Sequence, residues 1–466
     1  MTVTTTAATA RCLVAPANEL LVHALAQLPD DVTMQLTGPT TGPSLSLLAR
    51  AYGVDDRLEL VPEYRGAPPR TVQSLAEVVE SLTTADDPPA STDRDDAVLA
   101  GHRAVVVTNL PTHYRVPLFR SVARRIRDAG GAFRVLFLSP IPSSRAWMQS
   151  GELDFDHEFV AGIDVGRDRG RRVLPRRLES RLAAFEPTLV VSGGFSPAVS
   201  GRAARFARRH GIPFGIWSGE IATRATAQSR VRTFQRRRLL RTAGFGIAYG
   251  SRSAEYLRTL APSLPAVIAR NTTIVDTRPK QSSETLELLT VSRAEPEKAL
   301  DLAVEAVRSR RDLRCRLTII GDGPELPRLR ALAEGDSRIR FLGAVSSDEV
   351  LDHYAEADVF LFPSRYDVFG QVLVEAMGAG VAPVVSAAPG AVADLCVHEH
   401  NALVVREATV AAWAAALDRA AAPGVAKGLG VAAASTVARR WTIDHSADAF
   451  LAGLRLGALV EAGGRA

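Results

Sequence analysis

Cysteine, lysine and long apolar runs are all scarce in this 466-residue sequence, and each shortage excludes something. The three cysteines, Cys12, Cys315 and Cys396, are too scattered for a metal site or a disulfide framework, which points to a reducing cytosol. The opening "MTVTTTAATARCLV" has no apolar core behind a basic start, so it does not read as a secretory signal. The uncharged run 377–393, "MGAGVAPVVSAAPGAVA", is broken by Gly and Pro and reads as buried strand and turns rather than a membrane span. A cytoplasmic location is expected, with peripheral attachment at the inner membrane face as a variant.

Only three of the 56 basic residues are lysines: Lys280, Lys298 and Lys427. So lopsided an arginine usage reflects a GC-rich coding sequence and is no argument for nucleic acid. It does make each lysine informative. The net charge of +5 is unevenly spread: seven arginines and no acid lie between Arg224 and Arg241. That run is a solvated helix face, or a docking face for anionic lipid or a phosphorylated substrate.

The length predicts two or three domains. Residues 83–97, "TTADDPPASTDRDDA", lack apolar periodicity and read as a linker. Beyond it, β-branched runs such as "AVVVTNL" (104–110) alternate with amphipathic stretches such as "VPLFRSVARRIRDAG" (116–130). After a second break at 276–284 the rhythm repeats. This alternation predicts an α/β protein with two doubly wound parallel-sheet, Rossmann-like domains facing a cleft, ligands binding at the carboxyl ends of the strands. The expected boundaries are a linker at 83–100, domains at 101–280 and 281–440, and a C-terminal helix at 441–466 returning to the first domain. Residues 1–82 read as a partial, degenerate α/β copy of the second domain, because 32–61 can be laid over 315–343 as strand, Gly-Pro turn, helix, strand.

The chemistry concentrates in the second domain. Gly321 and Gly323 in "GDGPELPRLRALA" form a turn opening a helix, a weak anion signal by itself. Arg293 leaves the end of one strand and Lys298 is expected to start the next helix. A forked guanidinium and a point-charge ammonium suit the oxygens of a diphosphate. In "PSRYDVFGQVLVEAMGAG" a helix is expected to begin near Gly370, which places Asp367 just before it and Glu375 inside it. Glu375 could accept both hydroxyls of a ribose, with Asp367 nearer the transferred group. Asp154-Phe-Asp156 follows no apolar strand and reads as surface carboxylates, so no metal site is expected.

Those stretches, together with "FLGAVSSDEVLDHYAEADVFLFPS", resemble the nucleotide-sugar domain of retaining glycosyltransferases of the GT-B fold, glycosyltransferase family 4, bacterial type. "NLPTHYRVPLFRSVARR" and "TLVVSGGFSPA" resemble the acceptor domain of that group. The resemblance implies transfer from a nucleoside-diphosphate sugar, with UDP the expected nucleotide, to an acceptor hydroxyl with retention, no metal and no cofactor. It implies that Arg293 and Lys298 hold the diphosphate and that Glu375 holds the ribose. Asp367 stands where the family has Glu, one methylene longer. Phe369, Gly370, Gln371 and Val372 match the segment approaching the donor, and Arg340 and Phe341 lie where the base is held. On the acceptor side the candidates are His113, which could orient the acceptor hydroxyl, with Tyr114, Arg115, Gly193, Gly194 and Glu220. The acceptor is expected to be a hydroxyl compound, with anionic and lipid-linked compounds among the candidates, and nucleic acid is not expected as a partner. Two other readings stay open: a nucleotide-sugar epimerase of the same fold, and a non-catalytic nucleotide-sugar-binding protein.

Overall fold

The computed structural model describes residues 96–140, 152–165, 172–222, 229–281 and 283–464, with shorter stretches at 2–5, 11–16, 32–37, 43–52 and 58–61 and single residues Val22, Leu25, Leu28 and Val54. Linker residues 83–95 and Arg224 lie outside these. The chain divides into two compact units, 1–271 with 443–466, and 272–442.

The first unit is built on seven parallel strands in the order Ala266–Ile268, Phe245–Ala248, Phe214–Ser218, Leu189–Gly193, Arg103–Thr108, Ala132–Phe137, His157–Phe159. The β-branched run in Arg103–Thr108 is buried from Ala104 onward, as a strand covered on both faces requires. Strand order reverses between Arg103–Thr108 and Leu189–Gly193, which makes their carboxyl ends the switch point of this sheet. Helix Arg115–Asp128 follows the first of these strands and Ser200–Arg209 the second.

Helix Ile443–Gly464 groups with this unit although the chain reaches it from the other. It packs on Arg115–Asp128 and on strand Phe245–Ala248. Gly453 and Gly457, one turn apart, permit the approach: a Cβ at either would collide with Ile247 or Phe245. Phe450 meets Phe119 and Trp217 edge-on, and Arg125 pairs with Asp448. The leading segment forms a four-stranded sheet in chain order, Thr2–Thr5, Arg11–Pro16, Val32–Thr37 and Leu58–Val61, antiparallel in its first pair and parallel afterwards. Its helix Pro43–Tyr52 packs on the C-terminal helix, and the Ile268 N–H donates to Tyr52 Oη at 2.7 Å.

The second unit has six parallel strands in the order Ile339–Gly343, Cys315–Ile320, Leu286–Val291, Val359–Phe362, Ala382–Ser386, Leu403–Val405. Its switch point lies between Leu286–Val291 and Val359–Phe362. Helix Ser347–Glu356, which feeds the latter strand, begins with a capping box between Ser346 and Glu349. Lys298 does not start a helix. Pro296–Lys298 forms a single 3-10 turn, Ala299 adopts φ +50°, and the helix proper is Leu300–Ser309. The left-handed alanine breaks the turn away from the helix axis and leaves Lys298 outside it. No helix among the described residues is long and apolar enough to cross a membrane.

Candidate active site

Both loops that leave the switch point of the second unit carry predicted site residues. Lys298, after the first strand, donates from Nζ to Asp367 Oδ2 at 2.6 Å, after the second. The two side chains are 13% and 21% exposed, so the pair is largely sheltered. Asp367 also accepts the Phe369 N–H through Oδ1 at 3.1 Å. One carboxylate thus fixes the lysine and shapes the turn into the next helix. The loops are tied further by Arg365 N–H, which donates to the Glu297 carbonyl at 2.8 Å. Arg293 is half exposed and pairs with buried Glu295 at 2.5 Å.

Helix Gln371–Gly378 begins as expected beside Gly370, whose φ of +98° and contact with the Phe362 ring exclude any side chain. No side chain caps it, and the Leu373 N–H donates to the Gly370 carbonyl at 3.0 Å. Both polar atoms of the Gln371 amide are buried with no hydrogen-bond partner among the described residues, a demand that native interiors rarely leave unmet. Phe369 is buried and stacks on Trp441 with centroids 6.4 Å apart. Glu375 accepts from Tyr354 Oη at 3.3 Å, and that hydroxyl also lies 3.3 Å from the Val372 carbonyl. Burial, helped by the Glu375 charge, pushes the Tyr354 phenol well above the ordinary tyrosine range, so it stays a neutral donor.

The glycines of the 321–323 turn have an internal reason to be glycine. A Cβ on Gly321 would overlap the Ser292 carbonyl, and one on Gly323 would overlap the Ala294 backbone. Ala294 N–H donates to Asp322 O and Glu325 N–H to Ala294 O, both at 2.9 Å. They let two loops of the same sheet edge pass at contact distance, which also positions Arg293. Arg340 donates from Nε to Thr318 Oγ1 at 2.7 Å, and Phe341 lies beneath the Arg330 guanidinium.

In the first unit, Arg115 opens its helix at the switch point. It donates to Thr108 Oγ1 at 2.9 Å and Tyr249 Oη at 3.0 Å, and its guanidinium lies over the Trp217 and Tyr114 rings. Burial pushes the Tyr249 phenol above its ordinary value, so the charged guanidinium sits beside a neutral hydroxyl. Gly193 brings its backbone against Thr108, and Gly194 has φ +76°. His113 packs edge-on against Tyr114. Glu220 is engaged by buried Arg236 at 2.9 Å, and that arginine also donates to Tyr256 Oη. Asp154 and Asp156 pair with Arg120 and Arg134, as surface carboxylates do.

Sequence reasoning missed Glu295, Tyr354, Thr108 and Tyr249. "HYAEAD" did contain a signal for Tyr354, an aromatic on the inner face of a helix feeding the strand that ends at the site.

Residues 285–422 match the family model for glycosyl transferases group 1. A GDP-mannose-dependent alpha-(1-6)-phosphatidylinositol monomannoside mannosyltransferase of Mycobacterium tuberculosis is 37% identical over 155 residues, 29% of this chain and 40% of that protein. A D-inositol 3-phosphate glycosyltransferase of Stackebrandtia nassauensis is 32% identical over 173 residues, 34% of this chain and 39% of that one. The chain thus spans well under half the length of the curated relatives it matches. Among solved structures, sucrose-phosphate synthase from Thermosynechococcus elongatus superposes with a TM-score of 0.59 at 16% identity, over 74% of this chain and 96% of that one. Anabaena Alr3699/HepE, solved with UDP and glucose, superposes at 0.57 and 16% identity, over 72% and 95%. The chain has the GT-B fold of two Rossmann-like halves. The glycosyl transferases group 1 match lies within its second unit.

Proposed function

We propose that this chain transfers a sugar from a nucleoside-diphosphate sugar to an acceptor hydroxyl, with retention at the anomeric carbon, as a family 4 glycosyltransferase. The observation that carries the reading is the Lys298–Asp367 pair at the switch point, beside the uncapped Gln371–Gly378 helix, inside the region that matches the family model. Arg293 and Lys298 would take the two phosphates of the donor and Glu375 the ribose hydroxyls. In the step itself the anomeric carbon–oxygen bond to the diphosphate breaks and a bond to the acceptor oxygen forms on the same face. The acceptor proton passes to the departing phosphate oxygen. The two cations stabilise the charge that develops there, which is the main catalytic term. No step is assigned to a metal. UDP is the favoured nucleotide; the mycobacterial relative's use of GDP-mannose makes GDP the necessary comparison.

Calorimetry against UDP, GDP and dTDP, followed by NMR of the product anomer with the matching donor sugar, tests this. One tight nucleotide and an α-to-α or β-to-β product are expected. Binding without turnover would identify a sensor, isomerised donor an epimerase, and no binding to any nucleotide would end the reading.

A further inference from the structure

Helix Arg230–Leu240 has two unlike faces. Inward, Arg236 and Leu240 are buried, Arg236 on Glu220 and Tyr256. Outward, the turns of the helix bring Arg230, Phe234, Arg237 and Arg241 into one stripe, flanked by Val231 and Arg238. Val231 is 69% exposed, more than any other large hydrophobic residue among the described ones, and Phe234 is 61% exposed. No acid lies between Glu220 and Glu255 in the sequence. The neighbouring helix Ser200–Arg209 packs beside it and exposes Arg208 and Arg209, while its Arg202 pairs with Glu179 and Arg205 adds to the positive charge near that carboxylate.

We propose that this helix face docks the protein on an anionic lipid bilayer, lying in the plane of the headgroups with Phe234 and Val231 inserted and the outward arginines on lipid phosphates. Charge alone would suit any polyanion. The two apolar side chains between the arginines select the bilayer, because they gain by leaving water for the acyl boundary and gain nothing on a phosphate backbone. The pairing of buried Arg236 with half-buried Glu220 anchors the helix from within and leaves the outward side chains to meet the surface. The proposal does not rest on the sugar-transfer reading, since it is measured without donor or acceptor.

The test is flotation of the full chain with phosphatidylcholine vesicles, with and without one-third phosphatidylglycerol, at 0.1 M and 0.5 M salt. Flotation with the anionic vesicles only, weakened at high salt, is expected. Arg237→Gln with Arg238→Gln should lower partitioning about twenty-fivefold, at about fivefold per arginine. Phe234→Ser should lower it about tenfold. Unchanged melting temperatures check that these exposed substitutions act on the surface. Equal partitioning to neutral and anionic vesicles would overturn the proposal. So would Phe234→Ser floating like wild type, or tight binding to a DNA duplex that Phe234→Ser leaves unchanged.

Discussion

Asp367→Asn and Lys298→Met, separately and together, probe the centre of the site. At 2.6 Å the gross Coulomb attraction is about 6 kcal/mol for an effective dielectric of about 20. Desolvation of two mostly sheltered groups offsets most of it. Exposed pairs couple by about 0.2–1 kcal/mol, while breaking a fully buried one costs about 3–5. At 13% and 21% exposure a coupling of about 2 kcal/mol is expected. Urea unfolding at pH 7, followed through buried Trp413 and Trp441 of the same unit, reads it as a double-mutant cycle. Nucleotide affinity then separates the two roles. Lys298→Met should weaken nucleoside-diphosphate binding about tenfold to a hundredfold, the loss of one charge-assisted contact. Asp367→Asn retains an acceptor for the Phe369 N–H and releases Lys298 from a competing carboxylate. It should bind the nucleotide within about twofold of wild type yet lose transfer, because the lysine is no longer held in place. Additive unfolding energies would show that the ion pair is incidental. An Asp367→Asn variant as weak for nucleotide as Lys298→Met would refute a phosphate contact made by Lys298 independently of Asp367.

Further outcomes follow from the same site and its frame. Glu375→Ala should weaken free nucleotide and nucleotide-sugar alike, by about tenfold in calorimetry, since both carry the ribose. Tyr354→Phe removes the donor to Glu375 and should lower stability by about 1 kcal/mol while raising the KM for donor more than it lowers kcat; an unchanged KM would show that Glu375 does not depend on it. Gly321→Ala should destabilise the second unit by more than about 3 kcal/mol, because its Cβ collides with backbone rather than a movable side chain; a melting temperature like wild type would count against the loop packing described. Cys315 and Cys396 are buried, and burial pushes both thiols above their ordinary range, so at most one of the three thiols should react with a disulfide reagent at pH 8 before urea is added, and all three after.

The sheets were legible because parallel strands buried on both faces write themselves as unbroken β-branched runs, as at 104–108. Lys298 was legible through rarity, and Gly370 through the need for a helix to begin where it does. What escaped was pairing. Lys298 and Asp367 stand 69 positions apart, and nothing local to either announces the other. Tyr354 and Glu375 meet only after a strand has intervened. The break at Ala299 was invisible for a different reason: alanine is the best helix former, and tertiary contact overrode its preference. Gly321 and Gly323 read as an anion turn, and close backbone approach makes the same demand on sequence as ligand approach does. The fold adds that the backbones of Ser292 and Ala294 are their immediate neighbours.

The return of helix Ile443–Gly464 to the first unit makes the second an insertion within it, with the chain passing between them at 271–272 and again at 442–443. During synthesis the inserted unit is a continuous segment and can complete itself on the ribosome. The first unit cannot. Until residue 450 emerges, Phe119 and Trp217 lack the ring that covers them, and the seats of Gly453 and Gly457 on Ile247 and Phe245 stand open to water. The half that is made first is therefore finished last. During that interval its exposed aromatic floor is the part of the nascent protein that a chaperone would find.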